Sequence, residues 1–132
     1  MAVVLDTHAA LWYLLRSPNL SPKALQTIED ALQSGEPILL PSISLVEVIY
    51  LVEKNRLPMS ALKSLNTALQ NPGVALRIAP LDLAVAASVQ KVARDVVPDM
   101  PDRIIAATAL HLGLPLVTRD QKIRAVGIET IW

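Results

Sequence analysis

The chain has 132 residues, of which 52% are hydrophobic, 18% are charged and 3% are aromatic, and it contains no cysteine. This composition predicts a single folded domain over residues 1–132 with an aliphatic core, and it excludes disordered chains, disulfide-stabilised proteins and thiolate metal sites. Because twelve Lys and Arg residues balance twelve Asp and Glu residues, it also excludes binding to nucleic acid by net positive charge alone.

The first part of the chain predicts two short strands and four helices. In chain order these are a strand over 2–5, helices over 7–15 and 21–35, a strand over 37–41, and helices over 42–55 and 60–71. The strands are short apolar runs, whereas the helices carry apolar residues at helical spacing. Ser21 followed by Pro22 marks the start of the second helix, and Ser42 or Ser44 is expected to cap the third.

The rest of the chain predicts two or three further strands and two further helices. In chain order these are a strand over 74–78, helices over 82–95 and 102–113, a strand over 115–118, a short helical turn and a fifth strand over 128–132. Asp82 and Asp102 open the two helices, and Gly113 ends the second. Strands that alternate with helices predict an α/β fold, with a mostly parallel sheet of four to five strands covered on both faces.

Nothing in the sequence predicts contact with a membrane or export from the cytoplasm. The longest unbroken apolar run, Ala9 to Leu15, has seven residues, against roughly 20 for a membrane-spanning helix. The first five residues lack the basic start of a secretory signal, and Asp6 interrupts the apolar stretch. We therefore expect a soluble, cytoplasmic protein.

Four carboxylates are predicted to meet at one edge of the sheet. Asp6 ends the first strand, Asp120 follows the fourth, Glu47 lies early in the helix after the second, and Asp102 opens a helix. Because the carboxyl ends of parallel strands share one edge, where such sheets bind their ligands, we expect these acids to converge. Repulsion among them would be relieved by one or two Mg²⁺ or Mn²⁺ ions, the usual apparatus of phosphodiester hydrolysis.

Each acid also has a purely structural interpretation. Asp6 and Asp120 could simply cap the helices that follow them, and a carboxylate such as Asp102 is favoured in any first helical turn. The segment 43–52 is apolar on nearly all sides, which predicts a buried helix in which Glu47 needs a partner. Alternatively, Glu47 lies exposed on a narrow polar stripe.

With their neighbours, these acids resemble the PIN-domain ribonucleases, in particular the VapC-type toxins of bacterial and archaeal toxin–antitoxin pairs. The resemblance covers essentially the whole chain and rests on motifs in a fixed order. They are Asp6-Thr7-His8 with Trp12, Ser44-Leu45-Val46-Glu47, the block from Asp102-Arg103 to Ala109, Leu116-Val117-Thr118-Arg119-Asp120, and the closing Ile131-Trp132.

This resemblance implies a three-layer α/β/α fold, an RNA substrate, a homodimer and neutralisation by a small VapB-like antitoxin. It implies that Asp6, Asp102 and Asp120 hold Mg²⁺ or Mn²⁺, with Glu47 as a ligand or a water-mediated partner. Which carboxylate acts as general base stays open. Thr118 would orient a metal-bound water or a phosphate, or would face solvent at the strand end.

One departure from the family pattern concerns the third metal ligand. A proline is displaced by one position in Asp99-Met100-Pro101-Asp102-Arg103, so Asp99 is an alternative to Asp102. Helical periodicity places Asp102 on the face of Ile105 and Ala109, toward the sheet, whereas Asp99 is expected in a solvated loop.

Basic and aromatic residues near this edge have two interpretations each. Contacts with phosphates and simple exposure are both open for four residues: Arg103, Arg119, Lys122 and Arg124. The histidines His8 and His111 are expected to be structural. Base stacking is possible for Trp12, Tyr13 and Tyr50, but their apolar surroundings favour packing or a dimer interface. The alternative to an enzyme is a binding module that keeps this fold without turnover.

Overall fold

The computed structural model describes residues 1–132 and contains five strands, six α-helices and two 3₁₀ segments. They are β1 (Val3–Leu5), α1 (Thr7–Leu14), α2 (Pro22–Gln33), β2 (Ile38–Pro41), α3 (Ser42–Glu53), α4 (Met59–Gln70), β3 (Leu76–Ala79), α5 (Leu83–Ser88), a 3₁₀ turn (Val89–Lys91), α6 (Met100–Leu112), β4 (Leu116–Val117), a 3₁₀ helix (Gln121–Val126) and β5 (Thr130–Ile131).

The five strands form one sheet in the order β3-β2-β1-β4-β5, and all four neighbouring pairs are parallel. The central strand is β1, where Val4 lies opposite Leu39 of β2 on one side and Leu116 of β4 on the other. After β3 the chain crosses back to the far side of β1, so the strand order reverses between β1 and β4. Ligands of open parallel sheets bind at the carboxyl ends of strands beside such a reversal.

Side chains of β1 alternate between two hydrophobic cores, one on each face of the sheet. Val3 and Leu5 belong to a core of 18 buried residues that includes the inward faces of α1, α2 and α4. Val4 points the other way, into a core of 10 buried residues formed largely by α6. The predicted three-layer α/β/α arrangement, with a parallel sheet of five strands, is therefore confirmed.

Two predicted helix boundaries are wrong, the first of them for a reason that lies outside the local sequence. The helix that Asp82 caps ends at Ser88, not near Asp95. Beyond it, the backbone carbonyls of Val89 and Val92 accept hydrogen bonds from the side chain of Arg103, at 2.8 to 3.1 Å. Because a distant side chain donates to these carbonyls, they do not require the hydrogen bonds that a longer helix would provide.

The start of α6 also differs from the prediction. The helix begins at Met100, and its N-cap is Asp99, whose carboxylate accepts a hydrogen bond from the backbone N–H of Asp102 at 3.1 Å. Pro101 fits the first turn because the N–H that it lacks has no partner within a helix there. Asp99 is exposed, as expected, but it holds the helix end and is not part of a free loop.

The predicted serine cap is confirmed at α2 and wrong at α3. Ser21 accepts a hydrogen bond from the N–H of Ala24 at 3.0 Å. Helix α3 has no side-chain cap: Ser42 instead accepts a bond from the N–H of Leu81 at 3.0 Å, and the hydroxyl of Ser44 is buried without a partner. Ser42 therefore ties the start of α3 to the segment after β3.

Helix α3 is not buried on nearly all sides, contrary to the prediction. The side chains of Val46 and Tyr50 are 57% and 58% exposed, and Ile49 is also exposed. These three residues form an uncovered apolar face, which we call the α3 face. None of the six α-helices combines the length and the hydropathy required to cross a bilayer.

Candidate active site

Asp6 lies at the carboxyl end of the central strand and is held by two hydrogen bonds. Its Oδ1 accepts from the N–H of Ala9 at 2.8 Å, so it caps α1, and its Oδ2 accepts from the hydroxyl of Thr118 at 2.6 Å. Thr118 is buried at the end of β4, so the alternative in which it faces solvent is wrong. The capping interpretation of Asp6 is confirmed, and its second oxygen joins the two central strands.

Glu47 receives a short hydrogen bond from another threonine. The hydroxyl of Thr7, the buried first residue of α1, donates to Oε1 of Glu47 at 2.6 Å. Glu47 is half-buried, so its carboxylate neither lies on an exposed polar stripe nor lacks the partner that burial demands. This bond fixes α3 against α1 beside the end of β1.

Asp120 and Asp102 are held differently. The Oδ1 of Asp120 accepts from the N–H of Lys122 at 3.0 Å, so Asp120 does cap the 3₁₀ helix, and its own N–H donates to the hydroxyl of Thr118 at 3.1 Å. Asp102 is half-buried in the first turn of α6. Its carboxylate is the one acid of the four that accepts no hydrogen bond from the protein.

Three of the four predicted site residues line one cavity of about 370 Å³, which we call the acidic cavity. They are Asp6, Asp102 and Asp120, and Thr118 lies among them. Glu47 lies beside this cavity, joined to it through Thr7, which directly follows Asp6. The volume is near the lower end of the range for small-ligand sites, roughly 300–1,000 Å³.

Electrostatic coupling links these carboxylates. Burial raises the pKa of Asp6, partly offset by the hydrogen bonds from Thr118 and Ala9. Burial likewise raises the pKa of Glu47, partly offset by the bond from Thr7. For Asp102, burial acts first and repulsion from Asp99, Glu47, Asp120 and Asp6 adds to it, raising the pKa to about 7. The charge of every other acid in the group therefore contributes to the raised pKa of Asp102.

A comparison with protein families matches residues 3–129 to the PIN domain. The chain belongs to the PIN-domain family. Ribonuclease VapC22 of Mycobacterium tuberculosis is 32% identical to this PIN domain over 123 residues, which are 93% of this chain and 90% of that relative. The family resemblance predicted from the motifs is confirmed.

Solved structures share the fold of this PIN domain. The structure of VapBC2 from Rickettsia felis, bound to a DNA fragment from their promoter, matches with a TM-score of 0.74 at 18% identity, over 100% of both chains. A toxin–antitoxin complex from Klebsiella pneumoniae matches with a TM-score of 0.65 at 21% identity, over 98% of this chain and 96% of that chain. At these identities the likeness establishes the architecture.

The donor chemistry of this PIN domain fits a hard divalent cation, because every acidic donor at the edge is a carboxylate oxygen. No group of three Asp, Glu or His side chains is placed to hold one ion together. Asp6, Glu47 and Asp120 each direct an oxygen at a protein donor. Since a carboxylate has about four acceptor positions, these hydrogen bonds leave further positions on each carboxylate.

The four basic residues near the edge divide into two kinds. Arg103 is committed to the carbonyls of Val89 and Val92, and Arg124 donates to Thr130. Arg119 and Lys122 are exposed, and of the four only Arg119 lines the acidic cavity. Arg103 is therefore a structural residue.

His8 and Trp12 also line the acidic cavity. His8 is exposed, and its charge lowers the pKa values of Asp6 and Glu47, so it is not the packed structural residue that we expected beside the strand. Trp12 is half-buried and packs against the larger core, as expected. Tyr50 belongs to the exposed α3 face.

Two residues of the site escaped the sequence analysis. Thr7 was not expected to hold Glu47, although a hydroxyl in the first turn of the apolar helix α1 needs an acceptor. Asp99 was not expected to cap α6, although a proline two residues later is typical of a first helical turn. In both cases the local signal exists, but the partner of Thr7, which is 40 residues away, is identified only by the fold.

Proposed function

We propose that this PIN domain is a metal-dependent ribonuclease that hydrolyses phosphodiester bonds in RNA, and that it is the toxin of a type II toxin–antitoxin pair in the cytoplasm. The observation that carries the proposal is the acidic cavity at the carboxyl ends of β1 and β4, where burial and mutual repulsion raise the pKa of Asp102 to about 7. The relationship to Ribonuclease VapC22 supports the choice of RNA as substrate.

The proposed cofactor is Mg²⁺ or Mn²⁺, held by Asp6, Asp102 and Asp120. Such an ion lowers the pKa of an attacking water and neutralises charge on the phosphate. Glu47 is a further ligand or a partner through water. The chain's own part is to hold these carboxylates together at one edge, where a bound ion would favour their charged forms.

Two threonine hydroxyls are proposed to set the orientation of the carboxylates. Thr118 donates to Asp6 and Thr7 donates to Glu47, each at 2.6 Å. Such hydrogen bonds fix which oxygen faces a ligand and stabilise the charged form of the acid. Because the Thr118 proton is engaged with Asp6, its contribution is to position this carboxylate.

The proposed partners are a second copy of the chain and a small VapB-like antitoxin. The α3 face, formed by Val46, Ile49 and Tyr50, is an exposed apolar surface of the kind that a homodimer covers. The solved neighbour from Klebsiella pneumoniae is a toxin–antitoxin complex, and we extend that assembly to this chain. Sedimentation of the purified protein, alone and with a Val46→Lys variant, tests the dimer: the variant should be a monomer.

Cleavage of RNA by the purified chain tests the catalytic part of the proposal. We expect a mixed RNA pool to be cut with Mg²⁺ or Mn²⁺, and not with EDTA or in the Asp102→Asn variant. Asp82→Asn is the control, because it also removes one carboxylate at the start of a helix, where Asp82 accepts from the N–H of Val85, but Asp82 lies outside the acidic cavity. Cleavage that persists in Asp102→Asn or in EDTA would contradict the proposal.

A binding module without turnover is the second candidate. The observation that favours it is that no group of three acidic or histidine side chains is placed around one ion. This candidate predicts no cleavage with any divalent metal after removal of every bound partner, together with retained association with an antitoxin.

A further inference from the structure

One part of the wall of the acidic cavity is built from planar side chains. His8, Trp12 and Arg119 line it together with Asp6, Asp102 and Asp120. The wall therefore offers flat surfaces beside the carboxylates to which we assign the catalytic metal.

Trp12 is the centre of this planar group. Its ring lies 5.7 Å from the ring of Trp132 and 5.4 Å from that of His8, with tilted planes in both pairs. The guanidinium carbon of Arg119 lies over the Trp12 ring, 5.5 Å from its centre, within the distance of a cation–π contact. Because Trp12 also packs against the larger core, its position is fixed.

The electrostatics of the chain explain why such a surface matters for RNA. The net charge is zero and the cavity is acidic, so the protein itself attracts phosphates weakly. Arg103 and Arg124 are bonded to other parts of the chain, and Arg119 is the one arginine or lysine that lines the cavity. Apart from the proposed metal ion, contacts with the bases are therefore an important source of affinity for RNA, and stacking on aromatic rings or guanidinium planes supplies about 1–3 kcal/mol per base.

We propose that Trp12 and Arg119 form a subsite that binds one unpaired nucleobase of the RNA next to the bond that is cut. The base stacks on the plane of Arg119, which Trp12 holds from behind. His8 borders the same position. This subsite rests on the proposed ribonuclease function. Because it binds an unpaired base, the planar wall would favour single-stranded over double-stranded RNA.

Binding of short single-stranded RNA tests the subsite. The probe is a labelled oligoribonucleotide with Mg²⁺, compared with versions in which a single abasic position is moved along the chain. Affinities are measured by fluorescence anisotropy with the Asp102→Asn protein, so that the RNA is not cut. In this background we expect Trp12→Leu to weaken binding by about 5- to 140-fold, the equivalent of one stacked base. The same change should have little effect on the RNA whose abasic position falls in the subsite.

Arg119 provides the test that separates stacking from a simple charge contact. Arg119→Lys keeps the charge and loses the plane, whereas Arg119→Met loses both. We expect both variants to weaken binding, and both should fold because Arg119 is exposed. If Arg119→Lys binds as tightly as the parent protein, Arg119 contacts a phosphate and the stacking subsite is wrong.

Several further outcomes complete the test. Equal losses in Trp12→Leu for the intact RNA and for every abasic RNA would also overturn the subsite. If Trp12→Leu does not fold, Trp12→Phe, which keeps a ring, and the Arg119 pair decide the result. If the protein with Trp12 and Arg119 intact cleaves RNA but binds the intact and abasic RNAs equally well, the subsite alone is overturned. Absence of cleavage in the parent protein would overturn the proposed function.

Discussion

The two sides of the acidic cavity hold their carboxylates in different ways. On the side of β1, which we call the strand side, Asp6 receives hydrogen bonds from Ala9 and Thr118, and the neighbouring Glu47 of α3 receives one from Thr7. On the side of α6, which we call the helix side, Asp102 receives none, and its pKa is raised to about 7. Both sides are partly buried and acidic, so the difference lies in the donors.

This difference indicates which part of the site the chain completes by itself. At Asp6 and Glu47 the threonine hydroxyls offset some of the cost of burying a charge. At Asp102 burial and the charges of its neighbours act in the same direction, and no hydrogen bond opposes them. The strand side is therefore preorganised, whereas on the helix side Asp102 is only partly ionised at neutral pH, and a bound cation would favour its charged form.

The largest expected effect comes from removing the charge on the helix side. Asp102→Asn should lower the rate of RNA cleavage by about a thousandfold, because a metal ion contributes several kcal/mol and each 1.36 kcal/mol is tenfold in rate. Initial rates at saturating Mg²⁺ measure this effect.

Asp99→Asn is the matched control and decides between the two candidate ligands at this helix. Asparagine caps helices about as well as aspartate, so the fold of α6 is kept while one charge is removed. We expect a change in rate of less than about fivefold, on the scale of a single screened charge interaction at a surface. A loss equal to that of Asp102→Asn would transfer the ligand role to Asp99.

A smaller effect is expected from the threonines of the strand side. Thr118→Val and Thr7→Val keep the shape of the side chain and remove the hydroxyl, and each should weaken Mn²⁺ binding by about 10- to 100-fold. Titration calorimetry measures the affinity. Thr118→Ser and Thr7→Ser restore the hydroxyl and should restore binding; failure of both serine variants to do so would show that packing, and not the hydrogen bond, matters.

The raised pKa of Asp102 also predicts how metal affinity depends on pH. Below about pH 7 the ion must displace a proton from this carboxyl. The apparent dissociation constant for Mn²⁺ should therefore rise by up to about tenfold for each unit by which the pH is lowered. In Asp102→Asn the part of this slope due to Asp102 should vanish. An unchanged slope in the variant would mean that another group takes up the proton.

The smallest expected effect concerns the stability of the metal-free protein. Between about pH 4 and pH 7 the unfolded chain has lost the proton of Asp102 while the folded chain retains it, so the free energy of unfolding should fall as the pH rises. After allowance for screening at this half-buried group, the fall is about 1–2 kcal/mol. Urea unfolding at several pH values measures it. A free energy of unfolding that rises with pH in the parent protein, or an equal fall in Asp102→Asn, would contradict this assignment.

The sequence predicted the parts of the molecule that depend on short-range patterns. The apolar run before Asp6 and the alternation of strands with helices were sufficient to predict a parallel sheet. A parallel sheet then requires that acids following its strands share one edge, which is why Asp6 and Asp120 were predicted beside one another. Asp6 and Asp120 are caps as well, so the structural and functional interpretations coexist at these positions.

The remaining features depend on contacts between distant parts of the chain. Thr7 and Glu47 are 40 residues apart, and only the packing of α1 against α3 brings the hydroxyl to the carboxylate. The early end of α5 depends on Arg103, which is 11 and 14 residues from the carbonyls that it holds. The apolar pattern of α3 predicted a helix buried on nearly all sides, which is wrong. An apolar face has the same sequence pattern whether it packs against the core of the chain or against a partner.

The most direct measurement for the central claim is an anomalous difference map from a crystal soaked in Mn²⁺. We predict a peak between the strand and helix sides of the cavity, with oxygens of Asp6, Asp102 and Asp120 roughly 2 Å away, and no peak in Asp102→Asn. Full occupancy of Mn²⁺ elsewhere in the molecule, with the cavity empty, would contradict the account.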